Sequence, residues 1–239
     1  GDSCDPCPVP VGGEALCIDG ACAATCLDSQ HICGESGCCD WTVTPLPSLS
    51  GWSAPLSSAV DSAGTVFLLG LVDGGLSLFE SHSESSSVIE IQAASSFQEI
   101  AVPTMALNSS DERVICYLEN SMDAGGEDTT ETWLHCVKQA ETVTHIFAQL
   151  LSSSTALDEA SLTLHVDGED RIHLSYYSPG DEAIYYQQLD KDGAPVTAAE
   201  WVEENAGEDN FLSGSVDSEG RYHLCYAVDS TELQHAERD

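Results

Sequence analysis

The stretch VDSEGRYHLCY, Val216 to Tyr226, is matched by VDGEDRIHLSY, which begins 50 residues earlier at Val166. Counted from each Val, Asp167 coincides with Asp217, Arg171 with Arg221, His173 with His223, and Tyr176 with Tyr226. A catalytic group acts from one asymmetric pocket, whereas a structural unit recurs along a chain. We therefore interpret the shared His and Tyr as packing and hydrogen-bonding residues of a repeated unit.

Two further stretches match the same unit less closely: AVDSAGTVFLLGL, which begins at Ala59, and ALNSSDERVICYL, which begins at Ala106. Their residues at the repeat positions are Asp61, Gly64, Asn108 and Tyr117, whereas both have lost the His. The Asp or Asn positions 61, 108, 167 and 217 are separated by 47, 59 and 50 residues. Such periods are typical of β-propeller blades, each with four strands. The sequence predicts a small propeller of about four blades.

The repeated Asp has a local explanation in the turn between the first two strands of each unit. An Asp side chain can accept a hydrogen bond from the backbone N–H two residues further on, and a Gly such as Gly220 adopts a positive φ without strain. Asp61, Asp167 and Asp217 are therefore predicted to form turns.

The chain beyond residue 40 consists of short apolar or alternating runs separated by clusters of Gly, Asp, Ser and Asn. This pattern is typical of β-strands, and helical periodicity is weak throughout. Only HIFAQLL, residues 145–151, fits a helix, and the β-branched residues before it fit a strand equally well. We predict an all-β fold, with the propeller spanning residues 41–239.

The first 40 residues form a separate, disulfide-rich irregular module in this interpretation. Eight of the 11 cysteines of the chain lie there: Cys4, Cys7, Cys17, Cys22, Cys26, Cys33, Cys38 and Cys39. The segment has almost no large apolar side chains, so covalent links or a metal must hold it together. Four disulfides of undetermined connectivity are the prediction. Two Cys4 zinc sites are the alternative, although CDPC is the only CxxC pair.

The three remaining cysteines lie in the predicted propeller. Cys116 falls in the second strand of the second unit and Cys136 in the third strand, which runs antiparallel beside it. Adjacent strands bring two Cβ atoms within disulfide reach, so we predict a Cys116–Cys136 bond. Cys225 has no such partner, and we predict a buried, unpaired thiol.

Two resemblances to known families follow from these motifs. The first segment resembles the short Cys-rich modules of bacterial secreted proteins through Cys17, Gly20, Cys22, Cys26, Cys38 and Cys39. The later repeats resemble the DxxGxxHxxY repeats of bacterial secreted β-propeller proteins through Asp167, His173, Tyr176, Asp217, Gly220, His223 and Tyr226. These resemblances imply a propeller located outside the cell or on its surface, in a family whose members mostly have no known activity.

The charge balance restricts the partners. The chain contains 6 Lys and Arg residues and 41 Asp and Glu residues, which gives a formal net charge of −35. A surface of this charge repels nucleic acid and anionic lipid. No apolar run is long enough for membrane insertion, the longest being VFLLGLV, residues 66–72. We predict no cofactor and no assignable metal site, although loosely bound calcium would suit the acidic turns.

These observations favour a secreted or cell-surface protein that is not an enzyme and uses its propeller as a binding or assembly scaffold. The expected partners are a glycan, a surface protein or further copies of the chain. One alternative is a structural subunit of an extracellular polymer. Another is an extracellular polysaccharide-acting enzyme, lyase-like, in which His173, Tyr176, His223 and Tyr226 supply acid–base groups.

The last unit contains only three predicted strands before the sequence ends at Asp239. The segment DWTVT, Asp40 to Thr44, resembles the strand EWVEE of the third unit because a Trp precedes alternating residues. We predict that Trp41 to Thr44 completes the last blade, beside Glu232 to Glu237, because closure covers exposed strand edges.

Overall fold

The computed structural model describes residues 13–18, 21–26, 30–33, 37–40, 52–81, 86–93, 98–122, 130–152, 161–178, 180–204, 206, 211–228 and 232–238. The chain divides into two compact units, Gly1–Leu49 and Ser50–Asp239. The predicted domain boundary after residue 40 remains a prediction. Within the described residues, there is no helix that is long and apolar enough to span a membrane.

The described residues of the first unit form four short strands in two antiparallel hairpins. Its strands are β1 (Gly13–Ile18), β2 (Ala21–Cys26), β3 (Gln30–Cys33) and β4 (Gly37–Asp40), with β1 paired to β2 and β3 to β4. The eight cysteine side chains of this segment lie outside the part of the chain whose side chains are described. Their predicted disulfides therefore remain predictions.

The described residues of the second unit form four antiparallel sheets. The first sheet contains β5 (Trp52–Val60), β6 (Val66–Val72), β7 (Gly75–Ser81) and β8 (Ser86–Gln92). The second contains β9 (Gln98–Leu107), β10 (Arg113–Met122), β11 (Thr130–Gln139) and β12 (Val143–Ser152). The third contains β13 (Leu162–Val166), β14 (Ile172–Ser178), β15 (Ala183–Leu189) and β16 (Glu200–Glu204). The fourth contains β17 (Leu212–Val216), β18 (Tyr222–Val228) and β19 (Glu232–Arg238).

Each sheet is a simple meander, because its strands pair in the order in which they follow along the chain. The first strands of successive sheets are in contact: β5 with β9, β9 with β13, and β13 with β17. The predicted all-β propeller of about four blades is confirmed, and HIFAQLL lies within strand β12. The proposed closing strand, Trp41 to Thr44, lies outside the described residues.

The described hydrophobic residues form three core clusters, which lie between consecutive sheets. Leu69 and Ile115 belong to the cluster between the first and second sheets, and Leu118 and Leu174 to the cluster between the second and third. Leu224 belongs to the cluster between the third and fourth. Burial of one such side chain contributes roughly 1.5–3 kcal/mol. Each sheet is therefore stabilised by its neighbours along the chain.

The turn between the first two strands of each sheet has the predicted geometry. The Oδ1 of Asp61 accepts the N–H of Ala63 at 2.9 Å and that of Thr65 at 2.7 Å. Asp167 and Asp217 accept the corresponding N–H groups of their own turns. Gly64 and Gly220 both have a φ of 84°. The interpretation of the repeated Asp as a turn residue is confirmed.

The turns also form hydrogen bonds between neighbouring sheets, which the repeat pattern did not predict. The N–H and hydroxyl of Ser62 both donate to the carboxylate of Asp111 in the next sheet. Ser109 donates in the same way to Asp170, at 2.7 and 2.8 Å. Asp111 and Asp170 have positive φ values of 60° and 62°, which Asp tolerates better than most residues. We call each pair a Ser–Asp clasp.

We expect the Ser62–Asp111 clasp to contribute a coupling free energy of about 0.5–1 kcal/mol, small because it is exposed to solvent. The measurement is a double-mutant cycle of Ser62→Ala and Asp111→Asn by chemical denaturation, since Asn also tolerates positive φ. Ser62→Ala combined with Asp170→Asn is the control and should be additive. Equal coupling free energies in the two cycles would show that the coupling does not come from the Ser62–Asp111 clasp.

The predicted disulfide between Cys116 and Cys136 is confirmed. The two residues face each other in the register of β10 and β11, and their sulfur atoms are bonded. Cys225 forms no disulfide with any described residue. The prediction that its thiol is buried was wrong, because Leu224 and Tyr226 face the third sheet and Cys225, between them in β18, points to the opposite, exposed side.

Candidate functional site

A buried hydrogen-bonded chain runs through the third sheet from its turn to its third strand. His173 of β14 is buried, with its Nε2 3.1 Å from Oδ2 of Asp167 and its Nδ1 2.9 Å from the hydroxyl of Tyr186. A carboxylate can only accept, so Nε2 carries the proton and donates to Asp167. Nδ1 is then the acceptor for the Tyr186 O–H. The hydrogen-bonded chain therefore runs from Asp167 through His173 to Tyr186.

Burial and hydrogen bonding fix the charge states in this chain. Burial lowers the pKa of His173 below its usual value, and the hydrogen bond with Asp167 offsets this only in part. Burial alone would raise the pKa of Asp167, but hydrogen bonds from His173, Arg171 and two backbone N–H groups hold that pKa below its usual value. A neutral His173 therefore lies beside an ionised Asp167.

Tyr186 also lines a cavity of about 230 Å³ between the third and fourth sheets. The side chains of Glu200, Tyr222 and Arg238 face the same space, because Tyr186 pairs with Glu200 in register and Tyr222 pairs with Arg238. Leu224 adds an apolar wall. We call this space the inter-sheet cleft. It combines apolar walls with a few polar groups, as ligand sites commonly do.

An ion pair lies at the edge of the inter-sheet cleft. Arg238 donates from two guanidinium nitrogens to the two carboxylate oxygens of Glu200, at 3.1 and 3.2 Å. Burial raises the pKa of Tyr186 to about 12, while Arg238 lowers that pKa and Glu200 raises it. Tyr186 is therefore a neutral phenol between the buried His173 and a polar, partly exposed cleft.

Aromatic packing holds these groups in place. The ring of Tyr222 stacks on His173 with centroids 5.5 Å apart and also contacts Tyr186 at 5.1 Å. Burial raises the pKa of Tyr222 to about 12. Tyr222 thus bridges the two sheets and fixes the orientation of the His173 ring.

The structure does not bring together the four residues proposed for acid–base chemistry. Tyr176 lies on the other face of the third sheet, where its hydroxyl accepts from Gln149 at 3.3 Å. His223 bonds to Asp217 and His235 on the exposed face of the fourth sheet. Tyr226 donates to Glu203 and Gln234. Only His173 connects to the inter-sheet cleft.

The other repeat positions have structural roles. Asn108 accepts backbone N–H groups of its turn, and Tyr117 stacks on His135 with centroids 5.4 Å apart. The repeats did not predict three residues of the inter-sheet cleft: Tyr186, Glu200 and Arg238. They are absent from the repeat motif, and only the strand alternation in AIYYQQL and EWVEE indicates which of their neighbours face the same side.

No family model and no curated protein matches the sequence. Solved structures do resemble the fold. They include the exo-β-1,3-galactanase of Phanerochaete chrysosporium bound to β-1,3-galactotriose, with 15% identity and a TM-score of 0.51 over 76% of this chain and 46% of that one. The endo-arabinanase of Bacillus licheniformis from glycoside hydrolase family 43 has 16% identity and a TM-score of 0.50, over 79% of this chain and 72% of that one.

A third similar structure is a family 43 β-1,3-galactosidase bound to galactodeoxynojirimycin, with 10% identity and a TM-score of 0.52, over 77% of this chain and 72% of that one. The chain spans about half the length of the galactanase, 46%. At these identities the similarity shows the propeller fold.

The prediction of a non-enzymatic binding or assembly scaffold was wrong. It is contradicted by the similar structures, which are glycoside hydrolases. The error has a physical origin. The repeats report the residues that pack within each sheet, whereas the inter-sheet cleft is formed by residues that differ between sheets, such as Tyr186 and Arg238.

Proposed function

We propose that the chain is the propeller part of an extracellular polysaccharide-acting enzyme, with the sugar bound in the inter-sheet cleft. The observation that carries the proposal is the hydrogen-bonded chain from Asp167 through His173 to Tyr186 at the cleft wall. The extracellular location rests on the eight cysteines of the first 40 residues, which suit an oxidising compartment.

Tyr186 is the acid–base group in this proposal. As it accepts a proton from a molecule in the cleft, it passes its own proton to Nδ1 of His173, and Asp167 stabilises the resulting imidazolium. Glu200 pairs with Tyr186 in register, so its carboxylate lies beside the phenol. In hydrolysis the attacking water gives its proton to Tyr186, and the same hydrogen-bonded chain returns a proton to the leaving glycosidic oxygen. Glu200, ionised in its pair with Arg238, stabilises the positive charge that develops on the sugar.

The charge of the chain favours a neutral substrate. A net charge of −35 repels an anionic polymer and leaves a neutral one unaffected. The similar structures are named for galactan, arabinan and galactoside substrates, all of them neutral sugars. We therefore propose hydrolysis of a neutral glycan of the β-1,3-galactan or arabinan class.

We expect Tyr186→Phe to lower kcat on such a glycan by at least about 100-fold, because the phenol supplies the transferred proton. The measurement is release of reducing ends from β-1,3-galactan and arabinan by the full chain. Tyr185→Phe is the matched control: its hydroxyl donates to Asp181 on the opposite face, so kcat should be unchanged. Equal activity of Tyr186→Phe and wild type would refute the role of Tyr186.

A second candidate reaction is β-elimination on a uronate chain, favoured by Arg238. The Arg238 guanidinium moves from Glu200 to the sugar carboxylate. Tyr186 takes the proton from the adjacent carbon as it passes its own to His173, and the chain returns a proton to the glycosidic oxygen as that oxygen leaves. The two reactions give different products. Ultraviolet absorbance from unsaturated ends on pectate or alginate, without hydrolysis of galactan or arabinan, would establish elimination and overturn the first candidate.

A further inference from the structure

The third and fourth sheets carry equivalent residues on one face, and the differences between them follow a chemical trend. In register, His173 pairs with Gln188 and Ser175 with Tyr186, while His223 pairs with Glu237 and Cys225 with His235. The fourth sheet thus has Cys225 for Ser175, His235 for Tyr186 and Glu237 for Gln188. Each change replaces a weak metal ligand by a strong one.

His223 is oriented as a metal-binding histidine would be. Its Nε2 lies 3.1 Å from Oδ2 of Asp217, so Nε2–H donates to that carboxylate and the lone pair is left on Nδ1. Histidines that bind metals usually donate their other ring N–H to a carboxylate in this way, which fixes the ring and raises its basicity. The Asp217 carboxylate is itself held in place, because it also accepts from the Arg221 side chain and from the backbone N–H groups of Glu219 and Arg221.

The second histidine lies at the separation that two ligands of one ion require. Nε2 of His235 is 3.2 Å from Nδ1 of His223, and the two rings stack with centroids 5.4 Å apart. Two nitrogens bound to one tetrahedral zinc ion at 2.0–2.1 Å are about 3.3 Å apart. The equivalent atom in the third sheet is the Tyr186 hydroxyl, a hydrogen-bond donor to His173.

We propose that His223, His235 and Glu237 bind a Zn²⁺ ion on the exposed face of the fourth sheet. The described residues contain no three such side chains already arranged around one ion. Oε2 of Glu237 is 3.9 Å from Nδ1 of His223, so a small side-chain rotation completes the third contact. Arg221 meanwhile holds Oε1 of Glu237 at 3.0 Å. Water takes the fourth position, and the acidic surface attracts the cation.

The test is a titration of the full chain with Zn²⁺ against a chromophoric chelator. Two variants each introduce the residue that the third sheet has at the equivalent position: His235→Tyr, as in Tyr186, and Glu237→Gln, as in Gln188. We expect His235→Tyr to weaken zinc binding at this site at least tenfold and Glu237→Gln at least threefold. His145→Gln, which removes an exposed histidine from β12, should bind as the wild type does. Cysteines of the first 40 residues are the same in all four proteins, so their contribution cancels.

Circular dichroism shows whether each variant is folded, and His235→Gln replaces His235→Tyr if the larger ring prevents folding. The proposal is overturned if the wild type binds no zinc at this site. It is also overturned if the His235 variant retains affinity within tenfold of the wild type, or if His145→Gln loses affinity as strongly. The readout is zinc affinity and needs no glycan substrate, so the test can fail or succeed whatever the outcome for glycan activity.

Discussion

Replacement of Gly193 by Ala is expected to lower the free energy of unfolding by about 3 kcal/mol. Gly193 lies in the loop between β15 and β16 with a φ of 89°, a conformation that is strained for Ala. A Cβ at this position would also overlap the backbone carbonyl and Cβ of Ile146 in β12. The loop of the third sheet therefore packs directly on the last strand of the second.

Substitution of two other glycines distinguishes the two causes of this loss of stability, backbone strain and overlap with Ile146. Gly64 has a similar φ of 84° but open space around it, so Gly64→Ala should cost only about 1 kcal/mol from backbone strain. Gly168 has open space and no positive φ, so Gly168→Ala should be nearly neutral. The measurement is urea denaturation of the three variants and the wild type. If Gly193→Ala lowers the free energy of unfolding by no more than Gly64→Ala does, the close approach of Gly193 to Ile146 is not present in solution.

Loss of the Cys116–Cys136 disulfide is the second large effect. The two cysteines are separated by 20 residues in sequence. Without the bond, the unfolded chain gains the conformational freedom of a loop of that length, which lowers the free energy of unfolding by roughly 3 kcal/mol. Both residues are fully buried in the core between the second and third sheets. We expect the double variant Cys116→Ala, Cys136→Ala to be destabilised by about that amount, as measured by chemical denaturation under non-reducing conditions.

Cys225→Ala is the control, because this thiol is exposed and forms no disulfide with a described residue. Its stability should equal that of the wild type. Non-reducing peptide mapping provides an independent check, since it should show the Cys116–Cys136 peptide and an alkylated Cys225. A bond from Cys116 or Cys136 to any other cysteine would show that β10 and β11 pair in a different register.

The local features of this protein were readable from its sequence. The repeated Asp predicted the turn between the first two strands of a sheet, because an Asp that accepts backbone N–H groups of the residues that follow it forms a turn wherever it occurs. The same count of positions predicted the disulfide, since placing Cys116 and Cys136 on neighbouring antiparallel strands requires only the lengths of the strands and their turn.

Features that depend on contact between sheets were decided by the tertiary structure alone. The segment HIFAQLL is compatible with helix or strand, and pairing of β12 with β11 selects the strand. Cys225 looks like a core residue in sequence, yet it faces away from the third sheet. His173 bonds to Asp167 and Tyr186 within its own sheet, as a packing and hydrogen-bonding residue of the repeat would, whereas the cleft that Tyr186 lines is closed by residues of the fourth sheet. Periodicity records which side of a strand a residue faces, whereas the partner on that side comes from another sheet and leaves no local pattern.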